Sequence, residues 1–166
     1  QEKMQEVKMF RELRRKKKEI SLEAAKELLA SSRRGMLAVN GDDGYPYAIP
    51  INYLYDDEQQ KIFFHSAGAG YKVESLIKSD KVCFTVYGDE MIKDEDWAPY
   101  VQSVVVFGRC CPIKDNDVAM AALKNFAMKY YPTEQMVVDE IRHAGRAVQM
   151  FEILVEHISG KQVQEK

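Results

Sequence analysis

The sequence predicts a mainly β protein with peripheral α-helices, folded as an antiparallel barrel. Three observations carry this expectation. Six or so segments repeat with period two or run unbroken in apolar residues, as strands do. Most are joined by short, turn-rich links of the hairpin kind. Helical segments occur but do not alternate regularly with the strands, which argues against a doubly wound parallel sheet. At 166 residues the chain has the length of one domain (1–166) with a single core, opened by a basic arm over about residues 1–20.

The elements follow in order. Arg11, Arg14, Arg15, Lys16, Lys17 and Lys18 form a basic run, and such a run reads first as a solvated or partner-contacting arm, with a phosphate-binding role for one arginine as the lesser alternative. Ser21 can cap a helix, with Glu23 well placed against its dipole and Leu22, Ala25, Leu28 and Leu29 at helical spacing. This helix is expected to end near Ser31 and Ser32. Residues 35–40 read as a strand, and the Asn-Gly and Asp-Gly pairs within 40–44 as a hairpin turn. Across residues 47–55, Tyr47, Ile49, Ile51, Tyr53 and Tyr55 alternate with Ala48, Pro50, Asn52 and Leu54. One face is therefore large and apolar, the other small or polar. Strands over 61–65, 82–87, 101–112 and 147–158 complete the barrel. Helices are expected over 71–78, from Asp115 or Asn116 to Tyr130, and from a Thr133 cap to about Arg142.

Hydrophobic residues at 46% and charged residues at 30% mark ordinary globular material rather than disorder. The net charge of −2 gives no overall attraction for nucleic acid. No apolar run approaches the roughly 20 residues of a membrane span. The charged opening residues do not resemble a signal peptide, so a cytoplasmic setting is expected. Cys83, Cys110 and Cys111 sit in apolar strand segments and read as buried free thiols. His65, His143 and His157 lack metal-ligand spacing, and no metal is expected.

Two places could carry chemistry. Pro50 lies inside a strand, where it cannot donate to the ladder. An edge strand that tolerates proline explains it as well as a flat ligand lying along Pro50, Ile51 and Asn52. Next comes His65-Ser66-Ala67-Gly68-Ala69-Gly70-Tyr71-Lys72. Small residues, a hydroxyl and a lysine near a helix start are the composition of an anion site. This is neither a Walker motif nor a dinucleotide fingerprint, and a glycine-rich turn with a solvated lysine is the plain alternative. Trp97 and Tyr100 fall in a polar loop, where exposed aromatics pack on a partner or cover a site. Gln102 and Ser103 open a long apolar strand.

Together these segments resemble the FMN-binding split-barrel superfamily of pyridoxamine 5'-phosphate oxidase-related proteins, and within it the nitroimidazole-resistance (NimA-type) branch. The likeness covers most of the chain. It rests on the arm at 10–18, on Arg34-Gly35-Met36-Leu37 and on residues 44–53. It rests further on Phe64-His65-Ser66-Ala67 with Gly70 and Lys72, on residues 103–108 and on His157-Ile158-Ser159-Gly160-Lys161. The resemblance implies a split β-barrel and a homodimer with FMN at the subunit interface. Ile49, Pro50, Ile51 and Asn52 would lie against the flavin ring, largely through backbone contacts. Ser66, Ala67 and Lys72 would belong to the phosphate turn, with Ser66 and Lys72 making the contacts. Ser103, with Trp97 of the second subunit, would finish the pocket. Two positions depart from the pattern. Tyr71 stands where relatives usually have histidine or arginine, and Gln102 where arginine often precedes Ser-Val.

The function so implied is an FMN-dependent oxidoreductase of small molecules, nitroreductase-like, with the flavin carrying the electrons. His65 is the candidate proton donor on the substrate side. The alternative is a flavin-binding protein without turnover, such as a flavin store or redox sensor. A pyridoxamine phosphate oxidase proper is disfavoured because no further basic cluster dedicated to a second phosphate stands out in the sequence. Haem handling lacks a suitable histidine spacing.

Overall fold

A computed structural model describes residues 9–144 and 147–164. The first eight residues of the expected basic arm lie outside this range. Seven strands form one curled, wholly antiparallel sheet: β1 (Arg34–Asn40), β2 (Pro46–Asn52), β3 (Leu54–Asp56), β4 (Lys61–Ser66), β5 (Lys81–Tyr87), β6 (Tyr100–Pro112) and β7 (Gln149–Gln164). Their order is β2-β1-β5-β6-β7-β4-β3. The helices are α1 (Leu22–Ser31), α2 (Tyr71–Lys78), α3 (Asn116–Tyr130) and α4 (Glu134–Ala144). None is long and apolar enough to cross a membrane. The mainly β, helix-flanked half-barrel is the architecture the sequence predicts.

Local chemistry sets the helix starts. Ser21 accepts the Ala24 N–H at 3.1 Å, Asp115 accepts from Asp117 and Val118, and Thr133 accepts from Met136. Each satisfies donors that a helix start leaves orphaned. The hairpin between β1 and β2 turns through Asp43 and Gly44, both at positive φ, as Asp-Gly allows.

Two expectations need correction. The strand expected over 47–55 is two strands broken at Tyr53. There the backbone N–H donates to the Tyr130 hydroxyl at 2.8 Å, and the carbonyl accepts from the Lys129 ammonium at 3.0 Å. The ladder therefore changes partner: β2 pairs with β1, β3 with β4. The sheet thus ends on two halves of nearly the same strand, which curls it towards closure. The last strand runs to Gln164 rather than stopping at Ile158. It continues because Ser159 to Gln164 stay paired with Val105 to Tyr100 of β6; at Gly160 a Cβ would stand 2.7 Å from the Ile20 side chain. Glycine lets the arm pack directly on the strand.

Inside the curl lies the main core: Leu37, Val39, Tyr53, Ile62, Phe64, Phe84, Val104, Val106, Phe151 and Ile153, sealed by Ala25 and Leu29 of α1 and Leu76 of α2. A second cluster lies outside β4 and β7, where Phe63 and Met150 pack against Ala122, Leu123 and Phe126 of α3. Among the described residues, the outer face of β2, β1, β5 and β6 has no such helical cover. Cys110 is buried, and Cys83 and Cys111 are half-buried; all three are free thiols.

Candidate functional site

Strand alternation sorts the candidate residues onto faces. In β2, Tyr47, Ile49 and Ile51 are half-buried against the core, while Ala48, Pro50 and Asn52 are exposed. Ile49 and Ile51 can therefore offer a ligand only backbone, whereas Pro50 and Asn52 also offer side chains. β2 is an edge strand, which accounts for the tolerated proline.

Pro50 stands opposite Met36, Met36 opposite Thr85, and Thr85 opposite Val105. Opposed side chains in an antiparallel pair share a face. Pro50, Arg34, Met36, Thr85 and Tyr87 line an outer-face groove of about 310 Å³. Tyr87 in turn stands opposite Ser103, and Ser103 opposite Lys161. Of the expected residues the groove takes in Pro50; Ser103 sits one strand beyond its lining. Arg34, Met36, Thr85 and Tyr87 are additions whose joint role becomes visible only once their strands are paired.

Ser66 belongs to the other side of the sheet. It shares a face of β4 with Ile62 and Phe64, which point into the main core. Lys72, in the first turn of α2, holds its ammonium 5.6 Å from the centre of the Phe64 ring. Ser66, at the end of β4, and Lys72, at the start of α2, flank one short turn that holds the exposed Ala67. The Lys72 ammonium is half-buried, and its pKa is held below the ordinary lysine value, first by desolvation. Among the described residues it has no carboxylate partner. Gly70 precedes α2 at φ 118, and among the described residues no side chain caps the first N–H groups of the helix. Cβ atoms built on Gly68 and Gly70 would meet nothing within 4 Å. A positive charge, a hydroxyl, free N–H groups and open space fit a phosphate.

His65 faces away from Ser66. Its ring meets Phe126 edge-on at 5.1 Å. Partial burial, then the Lys72 charge, lower its pKa. The imidazole is accordingly biased towards its neutral form, which weakens it as a proton donor at neutral pH. Trp97 is 79% exposed in the loop before β6. Tyr100 is not a second exposed aromatic: Lys93 covers its ring at 4.3 Å and Asp96 accepts from its hydroxyl.

Both departures from the family pattern have structural employment. Tyr71 packs on Tyr47 at 4.3 Å, and its hydroxyl accepts the Asp42 N–H at 2.7 Å, tying α2 to the β1–β2 turn. Gln102 donates to Gln162 across β6 and β7 at 3.1 Å.

The family described as pyridoxamine 5'-phosphate oxidase matches residues 21–162. No curated protein matches the chain. Among solved structures, a candidate 5-nitroimidazole antibiotic resistance protein from Bacteroides thetaiotaomicron VPI-5482 superposes with a TM-score of 0.74 at 19% identity, covering 88% of this chain and 87% of that one. An FAD-binding protein from Mesorhizobium loti gives 0.62 at 24% identity, covering 87% and 96%. The flavocytochrome Anf3 from Azotobacter vinelandii gives 0.68 at 19% identity, covering 88% and 70%. At these identities the likeness is one of fold.

Proposed function

The chain belongs to the pyridoxamine 5'-phosphate oxidase family, and from that premise we propose that it binds FMN and reduces small molecules with it, as a nitroreductase does. The observation that carries this is Lys72: a half-buried ammonium without a carboxylate, beside Ser66 and the uncapped start of α2. Burying an uncompensated charge is costly unless an anion completes the site. When bound, the flavin supplies the electron transfer. Lys72, Ser66 and the first N–H groups of α2 hold its phosphate. The free backbone edge of β2, with Pro50 and Asn52, offers a flat surface with hydrogen-bonding groups for its ring. The cradle at Lys72 suits the one phosphate of FMN.

Ser66 and Lys72 lie at the barrel end, while Pro50 and Ser103 lie on the outer face. A second copy of the chain, packed on the uncovered outer face and presenting Trp97, would bring both kinds of group to one ligand. We therefore take the working form to be a homodimer. Three free thiols suit a cytoplasmic protein.

The test is spectroscopic and kinetic. Purified protein is expected to show a flavin absorption spectrum, and mass analysis of the released cofactor to give FMN. Reduction by NADH or NADPH, then reoxidation by a nitroaromatic with repeated turnover, establishes the enzyme. Stoichiometric bleaching without turnover assigns a flavin store or sensor instead. Colourless protein that takes up no added FMN overturns the proposal.

A further inference from the structure

The arm and the loop before β6 carry opposite charges that their own chain leaves uncompensated. Arg14, Arg15 and Lys18 of the arm and Lys161 of β7 line a cleft of about 390 Å³, walled by Leu13 and Val163. Several anchors fix this concavity. Phe10 stacks on His157 at 4.9 Å, Glu19 pairs with Lys161 as an isolated bridge, and the Ile20 N–H donates to the Gly160 carbonyl at 3.1 Å. Four like charges around one concavity repel one another. Among the described residues none of the four has a carboxylate partner, whereas Lys16, outside the cleft, pairs with Glu12 at 3.0 Å.

The loop between β5 and β6 is the converse. Residues 88–99 hold five carboxylates and one lysine. That lysine, Lys93, covers the Tyr100 ring, and Asp96 accepts from Tyr100 and Gln164. Asp89, Glu90, Asp94 and Glu95 are exposed, and among the described residues none has a cation partner. Ile92, in their midst, is 69% exposed. The loop is a braced projection. Met91 and Tyr100 exchange backbone hydrogen bonds at 2.8 and 2.7 Å, and Gln164 donates to the Ala98 carbonyl. Braced in this way, its carboxylates do not enter the cleft of their own chain.

Cleft and loop nevertheless share one edge of the sheet. Val163 of the cleft wall pairs with Val101, and the loop ends at Tyr100. Tyr87, where the loop begins, stands opposite Ser103, and Ser103 opposite Lys161 of the cleft. Both patches thus adjoin the uncovered outer face. A two-fold dimer makes each contact twice, so adjacent patches of opposite charge on one chain can satisfy each other across the axis.

We infer that the acidic loop, residues 89–95, of each chain docks in the cleft between arm and β7 of a second copy, as a reciprocal charge clasp. Its carboxylates face the four cations, and Ile92 matches the apolar walls. Such complementary charges set the register of an interface and speed its formation. The inference rests on the homodimer reading and is independent of the flavin.

The test is a charge swap in the full chain, followed by sedimentation at low ionic strength with FMN added to every sample. One chain carries Arg14→Glu and Arg15→Glu, the other Glu90→Lys and Asp94→Lys. All four positions are exposed, so both chains should keep the native dichroism spectrum. Each alone is expected to dimerise at least about tenfold more weakly than native protein, because like charges then meet at both contacts. Mixed in equal amounts, they should form a heterodimer of near-native affinity, identified by its mass in native mass spectrometry. In that heterodimer every contact again joins opposite charges. Variants that dimerise as the native chain does overturn the clasp and leave the homodimer standing. A mixture that associates no better than its parts also overturns it, since a contact within one chain would not pair the two variants. Native protein that stays monomeric removes the homodimer reading, and the clasp with it.

Discussion

Lys72 and Ser75 lie one turn apart on α2 and face opposite problems. The Lys72 ammonium has a ring beneath it but, among the described residues, no counter-charge. An anion that completes it gains a charge-assisted hydrogen bond, worth roughly 1.5–3 kcal/mol. Lys72→Ala is therefore expected to lower FMN affinity by one to two orders of magnitude, roughly, read by fluorescence titration of the flavin. Unchanged affinity would remove Lys72 from the phosphate site. Ser75 is 2% exposed, and its hydroxyl has no hydrogen-bond partner. Removing an unsatisfied buried hydroxyl and installing a better helix former should both help. Ser75→Ala is expected to stabilise the fold by about 1 kcal/mol, seen as a higher midpoint in urea. A lower midpoint would mean that the hydroxyl is satisfied in solution.

At the scale of elements, what could be read from the sequence was what neighbours in sequence decide. Ser21, Asp115 and Thr133 cap their helices because each partner lies two or three residues on. The break at Tyr53 was not legible, because its cause, the Tyr130 hydroxyl, lies 77 residues away. Tyr71 stood out as a departure, but its partner, the Asp42 N–H, is likewise remote. The phosphate turn was legible as composition because Ser66 and Lys72 are close in sequence. The Tyr53 junction also carries a pH signature. Lys129, at the end of α3, donates to the Ser32 and Tyr53 carbonyls and sits over the Tyr53 ring at 4.1 Å. Burial, then the Arg33 charge, lower its pKa from 10.5 to about 8. The unfolded chain thus holds more protons than the folded one between these values, and stability rises with pH there. The cost of burying the charge is complete below about pH 8 and fades above it. Tyr53 and Tyr130, whose pKa values are raised, begin to oppose this only above the ordinary tyrosine value of 10.0. Between pH 8 and 10, the melting temperature of the native chain should therefore climb relative to that of Lys129→Met. Parallel curves would mean that Lys129 is solvated.

At the scale of the whole molecule, the two sides of the sheet are unequally covered. Outside β4 and β7, α3 supplies Ala122, Leu123 and Phe126 to a closed cluster. Outside β2, β1, β5 and β6, the arm's Phe10 covers Phe107 and His157. Met36 and Tyr87 remain 40% and 74% exposed there, beside Pro50 and Thr85. An apolar sheet face of this kind marks an interaction surface, and the proposed homodimer gives it an occupant. A specific dimer buries roughly 1,200–2,000 Å² in total, and an unpaired carboxylate at its centre costs several kcal/mol. Met36→Glu introduces that carboxylate at a position already open to solvent in the lone chain, so the fold itself should tolerate it. Native protein is expected to sediment at twice the chain mass, and Met36→Glu at the chain mass with an unchanged far-ultraviolet dichroism spectrum. Because Pro50 and Lys72 lie on different sides of one chain's sheet, the monomeric variant should also bind FMN more weakly, although Met36 is remote from Lys72 along the chain. A native protein that sediments as a monomer when loaded with FMN removes the dimer from the proposal. A monomeric Met36→Glu that holds FMN as tightly as the native chain would place the whole flavin site within a single subunit.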